Sequence, residues 1–232
     1  MIAITMTVNN RPEYLRQVLN ALLKCTIPID QEYILLPSVE PPVDEIRHIL
    51  ESIKLPHCLP YYHSTRQGCN KNTYHAINRG FNFSDKVIHL EDDLLPFEDF
   101  LMFNTRLLEQ YKYDEDTMAI GSWNDPNKSS YDCNLILRKI LFCSWGVATW
   151  KNSWLKFQQK FLDISTTTQP AWDTALGIYF QQNKWYSIIP NVNRVRNIGR
   201  LNGTYMTPAG WDNIGVRPGS QDEIKKMYTY KE

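Results

Sequence analysis

Apolar positions along the chain fall in short runs that alternate with amphipathic stretches. Residues 2 to 8, Ile-Ala-Ile-Thr-Met-Thr-Val, are apolar and β-branched and predict a buried strand. Asn9-Asn10-Arg11-Pro12 breaks it, and Pro12 suits the first turn of a helix with Asn10 or Arg11 near the cap. Leu15, Val18, Leu19 and Leu22 then recur at helical spacing and give one apolar face. Tyr33 to Leu36 predicts a second strand, ended by Pro37. Val43 to Ile53 predicts a second helix, with Ile46, Ile49, Leu50 and Ile53 on one side. Cys58 to His63 predicts a third strand, and a third helix opens at Gly68 and runs through Phe81.

Next comes Val87-Ile88-His89-Leu90-Glu91-Asp92-Asp93, an apolar run that ends in three consecutive carboxylates. It predicts a strand inside a sheet. Phe100, Phe103, Leu107, Leu108 and Tyr111 mark an amphipathic helix starting after Pro96, with Glu98 and Asp99 favouring its positive end. Further on, Thr117 to Trp123 predicts a strand and Asn124-Asp125-Pro126-Asn127 a turn. Leu135 to Cys143 is another apolar run, and Ser144 to Trp150 leads into a helix to about Lys160. Ser165 to Thr168 reads as a loop, Trp172 to Gln182 as a helix, and Trp185 to Ile189 as a strand. Asn191 to Gly203 and the tail have little periodicity. Repeated strand–helix alternation predicts an α/β fold with a mixed, mostly parallel sheet flanked by helices, in one domain. Ligands of such sheets bind beyond the carboxyl ends of strands. Asn9 to Arg11, Ser38 to Glu40, Arg66 to Asn72 and Glu91 to Asp93 all lie at such ends and are expected to share one cleft.

Composition narrows the function classes. The chain of 232 residues carries 25 Lys+Arg and 25 Asp+Glu, which argues against nucleic-acid binding through a broad basic surface. Cys25, Cys58, Cys69, Cys133 and Cys143 are odd in number and scattered, as expected of reduced thiols in a cytoplasmic protein. No apolar run reaches the length of a membrane span, and the N-terminus lacks the pattern of a signal peptide. The His residues 48, 57, 63, 75 and 89 have no zinc spacing, and no nucleophile elbow or phosphate-binding Gly-Lys loop is present.

Three adjacent acids at a strand tip repel one another, and a divalent cation relieves that repulsion, since hard oxygen ligands suit Mn²⁺ or Mg²⁺. Solvation, or the dipole of a following helix, is the competing explanation for such acids. Alternation along an extended chain would send Glu91 and Asp93 one way and Asp92 the other.

Several segments, in order, resemble the GT-A-fold glycosyltransferases, and more closely the N-acetylglucosaminyltransferase I type and related bacterial family-2-like sugar transferases. They are Val87 to Asp93, Ser122-Trp123-Asn124-Asp125, Trp145 to Trp150, Trp172-Asp173, and Asn197-Ile198-Gly199 before a Gly-Thr pair. The resemblance implies a Rossmann-like domain with a nucleotide-binding half over about residues 1–123 and an acceptor half over about 124–232. It implies an inverting, metal-dependent transfer of a sugar from a UDP-sugar, of the UDP-GlcNAc or UDP-Gal class, to a hydroxyl of a glycan or other acceptor. Asp93 matches the metal ligand, with Mn²⁺ or Mg²⁺ as cofactor. Glu91 and Asp92 match positions near the donor sugar and ribose. Arg11, just after the first strand, matches a nucleotide-contacting position, with Val8 and Asn10 as further nucleotide-binding candidates, and Glu40 falls where the family often has an Asp facing uracil. Asp173 matches the catalytic base, although Thr174 stands where the family often has a second acid.

From the residues themselves, Arg66, Lys71 or Arg11 would add positive charge to a phosphate cleft. Asp173 also suits a helix cap, and Asp125 is a second candidate base. Trp123, Trp145 and Trp172 are candidates for walls of a sugar site or for core. A binding protein without turnover and a nucleotidyltransferase remain the alternatives at this point. The second lacks its glycines in Asn9-Asn10-Arg11-Pro12.

Overall fold

The computed structural model describes residues 1–53, 57–125, 132, 134–167 and 169–200. Part of the 124–127 turn, Cys133, the Gly203-Thr204 pair and the tail lie outside the described residues. Ten strands and six helices follow in the order β1 (Ile2–Val8), α1 (Pro12–Leu22), β2 (Tyr33–Val39), α2 (Asp44–Ser52), β3 (Tyr61–Tyr62), α3 (Cys69–Gly80), β4 (Lys86–Glu91), β5 (Leu94–Pro96), α4 (Phe100–Gln110), β6 (Thr117–Ile120), β7 (Ile136–Lys139), β8 (Ala148–Trp150), α5 (Lys151–Ser165), α6 (Trp172–Asn183), β9 (Tyr186–Pro190) and β10 (Val195–Asn197), counted over the described residues.

Eight strands form one sheet in the order β3-β2-β1-β4-β8-β6-β9-β7, and β10 pairs with β5 in a small second sheet. β3, β2, β1 and β4 are mutually parallel. β8 runs antiparallel to both β4 and β6, so the sheet is mixed. Period-two alternation sorts the side chains to two faces. Ile2, Ile4, Met6, Val8, Ile88 and Leu90 pack with α1, α2 and α4. Ala3, Ile34, Leu36 and Val87 pack with α3, α5 and α6.

Four sequence expectations shift. β2 passes through Pro37 and continues to Val39. The amides of Leu35 and Leu59 and the carbonyls of His57 and Leu35 show that odd residues of β2 face β3. The missing N–H of Pro37 therefore points to the thin β3 edge and costs nothing in the β1 ladder. The helix after Trp150 reaches Ser165 because Trp154, Phe157, Phe161 and Ile164 continue its buried stripe. Residues 148–150, expected to lead into that helix, form a central strand, because their three buried side chains fill the gap between β4 and β6. Asp99 precedes α4 but makes no side-chain cap. Its Oδ2 instead stands 2.7 Å from Nε of Arg194, which is fully buried beside β10.

Under the carboxyl ends of the central strands the core turns polar. Thr5 and His89 are cross-strand partners, and Thr5 Oγ1 lies 2.9 Å from His89 Nδ1. Nε2 of the same ring is buried without a partner. Burial pushes this imidazole down to about 3, so the unfolded chain, with the ordinary value of 6.5, takes up the proton first. The stability from neutral His89 is whole above about pH 6.5 and is lost as the pH falls towards 3. Urea unfolding at a series of pH values should show this group removing about 1.4 kcal/mol per pH unit on the acid side. His89→Gln should flatten that limb, and an unchanged slope would count against the assignment.

Candidate active site

The crossover from β1 to β2 runs through α1 on one face, and the return from β3 to β4 runs through α3 on the other. β2 and β4 therefore leave β1 in opposite directions, and a crevice opens above their carboxyl ends. A cleft of about 410 Å³ occupies this place. Val8, Arg11, Glu40, Arg66, Glu91, Asp92, Asp93 and Asp173, all singled out from the sequence, line it. Asn10 and Lys71 do not. Asn10 is exposed, its amide turned back onto Asn9 Oδ1 at 2.8 Å. Lys71 is exposed because each helical residue turns about 100° and α3 presents Cys69 and Asn72 to the cleft instead. The charge expected there from Lys71 is absent from the cleft lining, while Arg66 reaches Asn9 Oδ1 at 3.0 Å.

The three acids do not alternate as an extended chain would. β4 ends at Glu91, and Asp92 and Asp93 form a turn before β5. Asp92 is committed within the protein. One oxygen takes the Arg11 guanidinium and the other the amide of Asn9 at 2.7 Å. Arg11 also donates to Asp93 Oδ2 at 2.6 Å. Burial opposes its charge, but the two carboxylates outweigh that and hold the guanidinium protonated beyond its ordinary range. Glu91 is pushed up to about 8 by burial first, then by Asp93 and Asp173. Glu91, Asp93 and Asp173 all line the cleft.

Asp93 Oδ1 is buried and has no hydrogen-bond partner. Asp93 lines the cleft, and a carboxylate oxygen is the donor type that Mn²⁺ or Mg²⁺ takes. Among the described residues no group of three or more His, Cys, Asp or Glu could hold a metal ion by itself. One protein carboxylate still fits, because such cations complete their shells with phosphate oxygens and water. The backbone locks this residue: Ile198 N–H donates to the Asp93 carbonyl at 2.8 Å. A Cβ on Gly199 would stand 2.2 Å from Asp93 Oδ2, so only glycine admits this approach.

Across the cleft, Asp173 is the second residue of α6, and Ala171 occupies the cap position. Asp173 Oδ1 accepts the Thr174 amide at 2.7 Å, and Ser144 Oγ approaches Oδ2 at 3.5 Å. Glu40 Oε2 accepts the Gln67 amide at 2.8 Å, whereas Oε1 is buried and unpartnered. Trp145 lines the cleft and stacks edge-on against Trp123 at 4.9 Å. Trp172 also lines the cleft but is largely buried, its ring parallel to Phe161 at 5.3 Å. Sequence reasoning missed Ser144 and gave Asn70 and Asn72, inside the stretch expected at the cleft, no role of their own. Their partners lie on other elements and leave no local pattern.

No family model and no curated protein sequence matches the chain. Solved structures do. The mannosyltransferase PcManGT from Pyrobaculum calidifontis, in complex with GDP-Man and Mn²⁺, aligns with a TM-score of 0.56 at 14% identity, over 85% of this chain and 58% of its own. S. aureus TarS 1-349, in complex with UDP, aligns with a TM-score of 0.58 at 12% identity, over 84% of this chain and 59% of its own. The chain thus spans under two thirds of the length of these two structures. At such identities the likeness is one of fold, and the fold is that of GT-A-like glycosyltransferases.

Gly199→Ala should drive the Asp93 carboxylate off Arg11. Urea unfolding is expected to show a loss of about 1–3 kcal/mol, the usual cost of overpacking. Unchanged stability would mean that the loop yields instead.

Proposed function

We propose that the chain is an inverting, metal-dependent glycosyltransferase that moves a sugar from a UDP-sugar to a hydroxyl of a glycan or other acceptor. The observation that carries this reading is the content of one cleft: an unpartnered Asp93 oxygen, an unpartnered Glu40 oxygen and the Asp173 carboxylate line the same space. The cleft lies at the switch point of a sheet whose structural neighbours include one bound to GDP-Man and Mn²⁺ and another to UDP. A sugar attached to a nucleoside diphosphate needs a base-recognition point, a diphosphate-neutralising point and a group that activates the acceptor.

Glu40 supplies the first. Its Oε2 is held by the Gln67 amide, so a single oxygen remains for a ligand. Uracil offers one imide N–H between two carbonyls. Guanine presents two adjacent donors, and its second would go unpaired at a cost of about 1–3 kcal/mol. This favours UDP over GDP. Asp93 would hold the cation, which when bound neutralises charge on the departing diphosphate. Arg11 keeps Asp92 and Asp93 in place. Arg66, exposed at the cleft mouth, is a donor for phosphate oxygens. Asp173 would take the proton from the acceptor hydroxyl, on the face opposite the leaving group. One base without a nucleophile gives inversion.

Release of UDP from UDP-GlcNAc and UDP-galactose, with and without Mn²⁺, tests the whole reading. Asp173→Asn should lower kcat by about 10²–10⁴-fold, the range of positioned bases. Asp93→Ala should abolish the Mn²⁺ dependence together with the activity. Full activity in EDTA would remove the cation from the reaction. Binding of a UDP-sugar with no UDP release would favour a protein that does not turn over. In calorimetry with Mn²⁺, UDP should bind at least about tenfold more tightly than GDP, and Glu40→Gln should erase that preference. Equal binding of the two nucleotides by the unaltered chain would dismiss the role of Glu40.

A further inference from the structure

The loop between α5 and α6 leads directly into the proposed base, and a side chain outside the loop anchors it. Asn70, the second residue of α3, is 2% exposed. Its Nδ2 donates to the carbonyls of Thr167 at 2.9 Å and Pro170 at 3.1 Å, with a longer approach to Ile164 at 3.5 Å. Its Oδ1 accepts the backbone N–H of Trp172 at 2.9 Å. Trp172 opens α6, so this N–H is one of those a helix leaves without an internal acceptor. A single carboxamide therefore ties both arms of the loop to α3 and caps α6 from a separate element.

Asp173 follows Trp172 directly. The Trp172 ring is fixed as well, stacked on Phe161 and edge-on to Phe142 and His89. α3 in turn packs against β1 and β2, whose ends form the donor side of the cleft. A continuous path of contacts runs from that side through Asn70 to the peptide that precedes Asp173. Among the described residues the Asp173 carboxylate is otherwise held by Thr174, whose amide and hydroxyl lie 2.7 and 3.4 Å from Oδ1, and by a 3.5 Å contact with Ser144.

We propose that Asn70 is a positioning residue that sets the Asp173 carboxylate against the donor site. This rests on the reading of Asp173 as the base. A staple that only strengthened the fold would lower stability without singling out the chemical step. A positioning tether acts on kcat, because a displacement of about 1 Å costs roughly 100-fold in rate.

The test uses the full chain with Mn²⁺ and two readouts. In amide hydrogen exchange without ligand, Asn70→Ala should speed exchange at Trp172 and Thr174 by about tenfold or more, while β1 and β4 stay protected. In UDP release from UDP-GlcNAc or UDP-galactose, it should lower kcat by about 10- to 100-fold. The donor KM and the Mn²⁺–UDP affinity should change by less than about threefold, the signature of a step-specific loss. Added to Asp173→Asn, Asn70→Ala should lower kcat no further, since the group it positions is gone. If Asn70→Ala shows no protected core in hydrogen exchange and is therefore unfolded, Asn70→Ser, which keeps a hydroxyl for Trp172, is judged by the same criteria. A folded variant that has lost Mn²⁺–UDP binding overturns the proposal. Unchanged exchange, unchanged kcat, or an equal fall in the Asp173→Asn background overturns the proposal. Wild-type turnover by Asp173→Asn would instead overturn the base, and the exchange data would still decide the tether.

Discussion

The contact of Arg11 with Asp92 and Asp93 is the constraint on which the cleft depends. Parallel strands β1 and β4 end side by side, so the acids that follow β4 are brought beneath the turn that follows β1. Three carboxylates at one strand end would each resist ionising in the others' presence. The guanidinium answers two of them with charge-assisted bonds, and the Asn9 amide completes Asp92. Asp92 is thereby converted from a ligand candidate into a support. One oxygen of Asp93 is left without a protein partner, and it is the oxygen proposed to meet a cation.

The same economy shows at Glu40. One oxygen is bonded inside the protein and the other is buried without a partner. A carboxylate with both oxygens free would rotate and accept several geometries, whereas one fixed oxygen defines where the second points. Asp93 follows the same pattern, with Oδ2 on Arg11 and Oδ1 open. Both residues stand just after parallel strands, whose main-chain bonds fix where they sit. Such half-satisfied groups cost folding free energy. At Glu40 and Asp93 a ligand in the cleft would supply the missing partner.

Much of this was legible in the amino-acid order. The strand before Glu91, the helix at Pro12 and the parallel arrangement follow from apolar period and turn residues, and these alone bring strand ends together. The acids, Arg11, Glu40 and Asp173 stand out because charged groups flank apolar runs. What stayed hidden was how these groups divide among partners. Arg11 reads as a phosphate ligand until its neighbour across β1 and β4 is known. Asp99 reads as a helix-end charge until Arg194, far along the chain, is found buried against it. Strand β8 was hidden because three residues carry too little period to show, and its pairing with β4 and β6 overrides the helical pattern that follows. Glu91 and Asp93 could not be assigned a side, because the chain leaves the extended conformation at Asp92.

The two sides of the cleft are built by different means. The donor side is carried by neighbouring strands of one sheet, whose register is fixed along their length by main-chain bonds. Asp173 stands at the start of a helix, after a loop, with no strand beneath it. A loop held only by its ends would let that carboxylate wander over distances that matter for proton transfer. Long-range bonds from α3 shorten the free segment and refer its position to the same sheet that fixes Glu40 and Asp93. In this way the two halves of the chain meet in one rigid frame. The main chain of the sheet provides one part of that frame, and a single buried carboxamide provides the other.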